Sequence, residues 1–349
     1  GRYDEAAQLF ERAAEFAEGD YAKIQIRGKL AELLFKRGDM EEATTRFEQA
    51  LEVSGTRIPR RRVVVFLMLL WEAVVQTAHS LLPRLFVHRK NRVPSSTEVQ
   101  TLRLYSGLAH GAWYARSQMF ALWAHLRGLN LAEGFAPSLE LALVYAEHAP
   151  AMSLVPMFRR AVKYADKSLE IRKSLGDLWG QGQALHYHGI VLYAASRFRE
   201  CIRKCRKAIR ILERTGDYWQ VHIARYQIAA SYYHLGDFQS AAREAQLNHR
   251  SGSELGDDLA SAIILDVWAR ATGGKIPPQL IQGEMSKPRH DPQGKTQVLI
   301  AEAVRLLADG EESAAVETLT EATSIAESAG VKNAYTLPAL TWLATAQRA

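Results

Sequence analysis

Three observations in the sequence predict an all-α solenoid of antiparallel helix pairs. The first is a period of 40 residues: Leu175-Gly176-Asp177 returns as Thr215-Gly216-Asp217 and again as Leu255-Gly256-Asp257. The second is the spacing of apolar residues between those joints, three and four apart, which suits an amphipathic helix and not a strand. The third is size. At 349 residues, 48% apolar and 23% charged, the chain is too long for one ordinary core and too apolar for disorder, so several domains or one extended array is expected, and the repeat favours the array.

Each unit reads as two helices. The glycine of a joint tolerates the left-handed backbone that ends one helix, and the aspartate accepts from the free amides that open the next. In one unit the first helix is expected from Trp179 to Ala195 and the second from Phe198 to Arg214. Trp179 recurs as Trp219 and Phe198 as Phe238. Ala161, Cys201 and Ala241 share one position, and Ala165, Cys205 and Ala245 another. These small residues are expected where two helix backbones approach closely, with Phe198 and Phe238 wedged between neighbouring units.

This pattern resembles the tetratricopeptide repeat family. The resemblance is carried by His234-Leu235-Gly236-Asp237-Phe238-Gln239-Ser240-Ala241-Ala242, and by Lys36-Arg37-Gly38-Asp39-Met40-Glu41-Glu42-Ala43 with Phe47 and Ala50. Gly1-Arg2-Tyr3-Asp4-Glu5-Ala6, with Phe10 and Ala13, is the same turn and second helix. The chain therefore opens inside a repeat and is expected to be a piece of a longer protein. Ala308 to Ala315 is a weaker copy, and Ala334 to Arg348 is expected as a first helix without its partner.

The resemblance implies a right-handed superhelix, with the first helices of successive units lining a concave groove for a protein or peptide. Carried over position by position, the groove residues are Gln183, His186 and Tyr193, then Tyr226, Tyr233 and His234, then Asp266 and Arg270. Of these, Tyr226 and Tyr233 are expected to be replaceable by alanine without loss of folding. A 40-residue unit is longer than the family's usual one. Longer-helix variants are similar to the sensor arms of large bacterial signalling ATPases and of proteins joining a kinase or cyclase to an ATPase. Ala146 to Ser153 and Asp177 to Gln183 carry that likeness. It implies a regulatory arm that binds a partner or the catalytic domain of its own parent. A stand-alone adaptor, or a basic surface for nucleic acid or membrane, is the alternative.

The array is expected to divide into repeats over 1–55, an atypical helical insert with a basic loop over 56–98, core repeats over 99–272, a Gly/Pro-rich loop region over 273–292, and a last repeat with an unpaired helix over 293–349. Within the insert, Val63 to Phe86 is the most apolar stretch. Its unbroken part ends at Trp71, short of the roughly 20 residues a membrane span needs, and it is interrupted by Glu72, Gln76 and His79. A buried core helix is expected there, and no membrane span. The loops at Thr272 to Pro278 and Lys287 to Gly294 are expected to be exposed hinges.

No catalytic constellation emerges, so no enzyme and no cofactor is expected. Gly273-Gly274-Lys275 lacks the flanking residues of a phosphate loop, since Ala269 and Ile276 stand where glycine and Ser/Thr are needed. Cys201, Cys205, His186 and His188 are chemically able to ligate zinc, but both cysteines fall on packing positions and the histidines, two apart, diverge. The two cysteines fit a reducing cytoplasm. Arg197 to Arg214 carries eight basic and two acidic residues, and Arg199, Arg203, Arg206 and Arg210 form one stripe at helical spacing. A solvated outer face is expected; no nucleic-acid motif accompanies it.

Overall fold

A computed structural model describes residues 3–289 and 291–349. Gly1 and Arg2 of the first expected turn, and His290 of the expected loop, lie outside the described residues. Among the described residues there are eighteen helices and no strand. In chain order they are α1 (Tyr3–Glu15), α2 (Gly19–Arg37), α3 (Met40–Val53), α4 (Arg62–Leu81), α5 (Pro83–Phe86), α6 (Ser96–Ala115), α7 (Gln118–Glu133), α8 (Leu139–Leu154), α9 (Phe158–Ser174), α10 (Leu178–Ala194), α11 (Phe198–Thr215), α12 (Tyr218–His234), α13 (Phe238–Leu255), α14 (Asp258–Thr272), α15 (Pro278–Met285), α16 (Pro292–Ala308), α17 (Glu312–Ser328) and α18 (Pro338–Ala346).

The period is visible in these bounds. Helices α9, α11 and α13 open at Phe158, Phe198 and Phe238, and α10, α12 and α14 at Leu178, Tyr218 and Asp258. The joints behave as their chemistry requires. Gly216, Gly236 and Gly256 have φ of 77°, 77° and 65°, in the left-handed region open to glycine. The next residue caps the following helix: the carboxylates of Asp217, Asp237 and Asp257 accept from the amides of Gln220, Ser240 and Ala260 at 3.1–3.2 Å.

The chain falls into two compact units. The N-terminal unit runs to residue 151 and includes 163–177; the C-terminal unit takes 152–162 and 178 onward. In the N-terminal unit α1, α2, α3, α6 and α7 pack in succession, and α4 packs on α7. Phe47, Leu51, Leu104, Leu108 and Trp123 are buried in its core. In the C-terminal unit consecutive helices pair from α10 to α14, α16 follows α14, and α17 and α18 close the series. The alternate helices α10, α12 and α14 also touch in a row, as do α16 and α18.

Small residues sit where the backbones are closest. Cys201 and Cys205 of α11 are fully buried, their sulfurs 3.9 Å apart. A side chain at Gly189 of α10 would collide with the Cys205 sulfur, so glycine and cysteine together set that helix spacing. Phe198 does bridge units, stacking on His234 at 4.9 Å. Phe238 is half exposed and its ring meets Tyr233 of its own unit.

Three expectations are corrected. Helix α4 is not a buried core helix, because most of its apolar residues are exposed and, beside Val65, its buried residues are the polar Glu72, Gln76 and His79. The Gly273–Pro278 segment is exposed at Gly273, Lys275, Pro277 and Pro278 but is not a free hinge: Gly274 packs against the α16 backbone and Ile276 is in the core. The last helix starts at Pro338, not Ala334, because a proline lacks the amide that a helix interior needs and fits the first turn. Residues 331–337 are thereby left as a turn braced by Thr336, whose hydroxyl donates to the Val331 carbonyl at 2.6 Å.

Candidate partner-binding site

In the C-terminal unit the row α10, α12, α14 and α16 brings one polar-aromatic cluster together. Tyr193 on α10 and Tyr226 on α12 are buried, and Tyr335, from the turn before α18, lies against both. Its ring stacks on Tyr193 at 5.9 Å and 3°, and meets Tyr226 edge-on at 5.6 Å. The Gln227 amide donates to the Tyr335 hydroxyl at 2.7 Å. Across the row, the Gln297 amide of α16 donates to the Tyr226 hydroxyl at 2.8 Å.

Asp266 and Arg270 of α14 complete the cluster. They sit one turn apart and form a buried ion pair at 2.7 Å. The Arg270 guanidinium also lies over the Tyr233 ring at 4.6 Å. Burial pushes the Asp266 carboxyl up, with Arg270 opposing it, and burial likewise raises the Tyr193 and Tyr226 phenols. Four buried polar atoms of this cluster have no hydrogen-bond partner among the described residues: Gln227 Oε1, Asp266 Oδ2, Arg270 Nε and Gln297 Oε1. Each unmet group of this kind costs about 1–3 kcal/mol, so the cluster holds unused capacity for polar recognition.

Of the eight expected groove residues, Tyr193, Tyr226, Tyr233, His234, Asp266 and Arg270 meet here. His234 is exposed at the rim, where its ring nitrogen is 3.2 Å from the Tyr193 hydroxyl. Gln183 and His186 are buried earlier along α10, and His186 turns to Gln220. The expectation that Tyr226 can be removed without harm to folding is corrected: it is 3% exposed and hydrogen-bonded. Sequence reasoning missed Gln227, Gln297 and Tyr335. Gln227 was legible as the neighbour of Tyr226 on the same row; Tyr335 was hidden by reading 334–337 as helix.

The basic stripe of α11 is elsewhere on this unit. Arg199, Arg203, Arg206 and Arg210 are all exposed. Arg203 pairs with Glu200 at 3.5 Å, and Arg206 with Glu244 at 3.2 Å and the Tyr232 hydroxyl at 2.9 Å. The former zinc candidates diverge, His188 facing Lys204 Nζ at 3.2 Å. Among the described residues no three metal-ligating side chains cluster.

Residues 1–59 match the tetratricopeptide repeat family model. No curated protein matches the sequence. Among solved structures, a Rap protein complexed with Competence and Sporulation Factor is similar at TM-score 0.51 and 10% identity, over 94% of this chain and 98% of that one. Aspartyl phosphate phosphatase F from Bacillus subtilis is similar at TM-score 0.49 and 9% identity, over 95% and 94%. A signal-transduction ATPase with numerous domains and a tetratricopeptide repeat sensor, from Pyrococcus horikoshii, is similar at TM-score 0.47 and 13% identity; the likeness covers 96% of this chain and 50% of that one. At 10% identity the likeness to the Rap protein is one of fold. Helix pairing, joint chemistry and the family match over the first repeats agree: this is a tetratricopeptide-like helical repeat protein, an all-α solenoid.

Proposed function

We propose that this chain is a non-catalytic protein-binding scaffold with a regulatory role, and that a partner peptide or helix docks on the α10–α16 row where Tyr335 now lies. The observation that carries this reading is the Tyr193–Tyr226–Tyr335 cluster with its unmet Gln227, Gln297 and Arg270 atoms. Tyrosine and arginine combine contact area with directed polar atoms, which is why they dominate binding hot spots. A tyrosine-bearing segment of the same chain filling the row resembles a ligand held in cis. The natural occupant is then a partner protein or a catalytic domain of the same polypeptide, displacing 331–337.

Panning a displayed peptide library on the chain and on Tyr335→Ala tests this. Peptides carrying an aromatic residue are expected to enrich on the variant, with capture falling about tenfold or more when Tyr233→Ala is added, the loss of one hot spot. Circular dichroism melts control for folding. Enriched peptides indifferent to Tyr233, or no enrichment on Tyr335→Ala, would overturn the proposal.

A further inference from the structure

Helix α4 is built inside out. Its buried side carries Glu72, Gln76 and His79, and these are fixed by a polar network on α7. Asn130 donates to Glu72 Oε2 at 2.8 Å; Gln76 donates to Asn130 Oδ1 at 3.0 Å and to Glu133 Oε2 at 2.9 Å; His79 Nδ1 lies 2.8 Å from Glu133 Oε2. Tyr145 donates to the other Glu133 oxygen at 3.1 Å, and Arg127 pairs with Glu72 at 3.2 Å. With so many directed bonds on one side, rotation of the helix to bury its apolar side would break them all.

The other side is therefore held outward. Val63, Leu67, Leu70, Val74 and Leu81 form a stripe at spacings of three, four and seven residues, with Phe66 and Trp71 beside it. Trp71 is 63% exposed and Val63 70%. The stripe is about 27 Å long at helical rise and runs on into exposed Leu82 and Leu85. Contiguous apolar surface of this kind marks an interaction site. Among the described residues α4 is the one helix long and apolar enough to cross a membrane by length and composition. Its inward carboxylate, amide and imidazole are engaged by α7, which fits a helix lying along a surface and not one surrounded by lipid.

Charge identifies the surface. Residues 57–92 contain eight Arg or Lys and a single acid, Glu72, which is buried. Arg60 pairs with Glu52, and Lys90 and Arg92 with Glu98. Arg57 and Arg61 before the helix, Arg62 at its first position, and Arg84 and Arg89 after it, are exposed and have no ion pair among the described residues. The basic loop is itself held in place: the His88 and Lys90 amides donate to the carbonyls of Glu133 and Gly134 at 2.7 and 2.9 Å. An apolar stripe with a tryptophan, bracketed by unpaired arginines at both ends, complements acyl chains flanked by anionic headgroups.

We infer that the outer face of α4 is a docking surface for an anionic lipid bilayer, the helix lying in the interface plane. Vesicle flotation of the 349-residue chain tests it, comparing phosphatidylcholine vesicles with and without phosphatidylserine. The chain is expected to float with the anionic vesicles only. Arg61→Gln with Arg62→Gln should weaken partitioning roughly fivefold for each arginine removed. Leu67→Asp with Trp71→Asp should abolish flotation while leaving the thermal melt unchanged, since both side chains are exposed. Failure to float with anionic vesicles overturns the inference, as does flotation that survives Leu67→Asp with Trp71→Asp. A dimer in sedimentation that this same double variant dissolves, without vesicle binding, would assign the face to a second copy instead and equally overturn it.

Discussion

In α11, Cys201, Ile202, Cys205, Ile209 and Leu212 are buried and the arginines at 199, 203, 206 and 210 face out. In α4 the arrangement is reversed, with Glu72, Gln76 and His79 inside and leucines, valines and a tryptophan outside. Both helices are amphipathic, and both are held by one face. What differs is the force on that face: close apolar packing along the whole of α11, but in α4 directed hydrogen bonds from Glu72 to His79, with apolar packing confined to Val65, Met68 and Leu69 at its start. Amphipathic spacing thus tells which residues share a side of a helix, while the neighbouring element decides which side is hidden.

The sharpest way to break this comparison is to put one charge on each helix. Leu212→Asp should cost at least about 4 kcal/mol, because it removes a fully buried leucine and leaves an unpaired carboxylate in its place. Leu70→Asp, on the exposed face of α4, should stay within about 0.5 kcal/mol of wild type. Urea titrations followed by circular dichroism measure both, and equal losses would refute the inverted orientation of α4.

Next in size is Glu133→Ala, which leaves Gln76, His79 and Tyr145 without their shared acceptor. A loss of about 3 kcal/mol is expected, as for buried polar groups left unmet. A loss under about 1 kcal/mol would mean that the network does not fix α4.

A more gradual effect, smallest near neutral pH, is set by pH. Burial holds His125 in the N-terminal unit and His186 in the C-terminal unit down at about 4, whereas a free imidazole titrates near 6.5. Between these values the unfolded chain binds protons that the folded chain does not. Stability is therefore full above about pH 6.5 and falls toward pH 4, by up to about 1.4 kcal/mol per pH unit for each histidine. His186→Gln should remove one histidine's share from the dependence of the urea midpoint on pH. An unchanged slope would contradict the burial of that imidazole.

Much of the fold was legible in the sequence because the joints are local chemistry. A glycine followed by an aspartate fixes a helix end and the next helix start within three residues, and no distant partner is needed. The small-residue slots at Cys201 and Cys205 were legible for the same reason, through repetition. Orientation of α4 was not, since it depends on Asn130 and Glu133, more than fifty residues away in sequence. The candidate site was legible in part: the row positions on α12 and α14 follow from the period, but Tyr335 enters from a turn that breaks it. A proline at 338 was the available sign that 334–337 is not helical.

The joint aspartates also join each unit to the one before it. Besides capping α12, Asp217 accepts from the Trp179 indole of α10 at 2.7 Å. Besides capping α14, Asp257 lies 2.7 Å from His222 Nδ1 of α12. A pull along this stretch would load the turns before the helices, because the same carboxylate anchors a helix start and grips the preceding first helix. Stiffness is then concentrated at the joints, and a single aspartate lost would act as a pivot, letting one pair of helices swing while its neighbours stay intact.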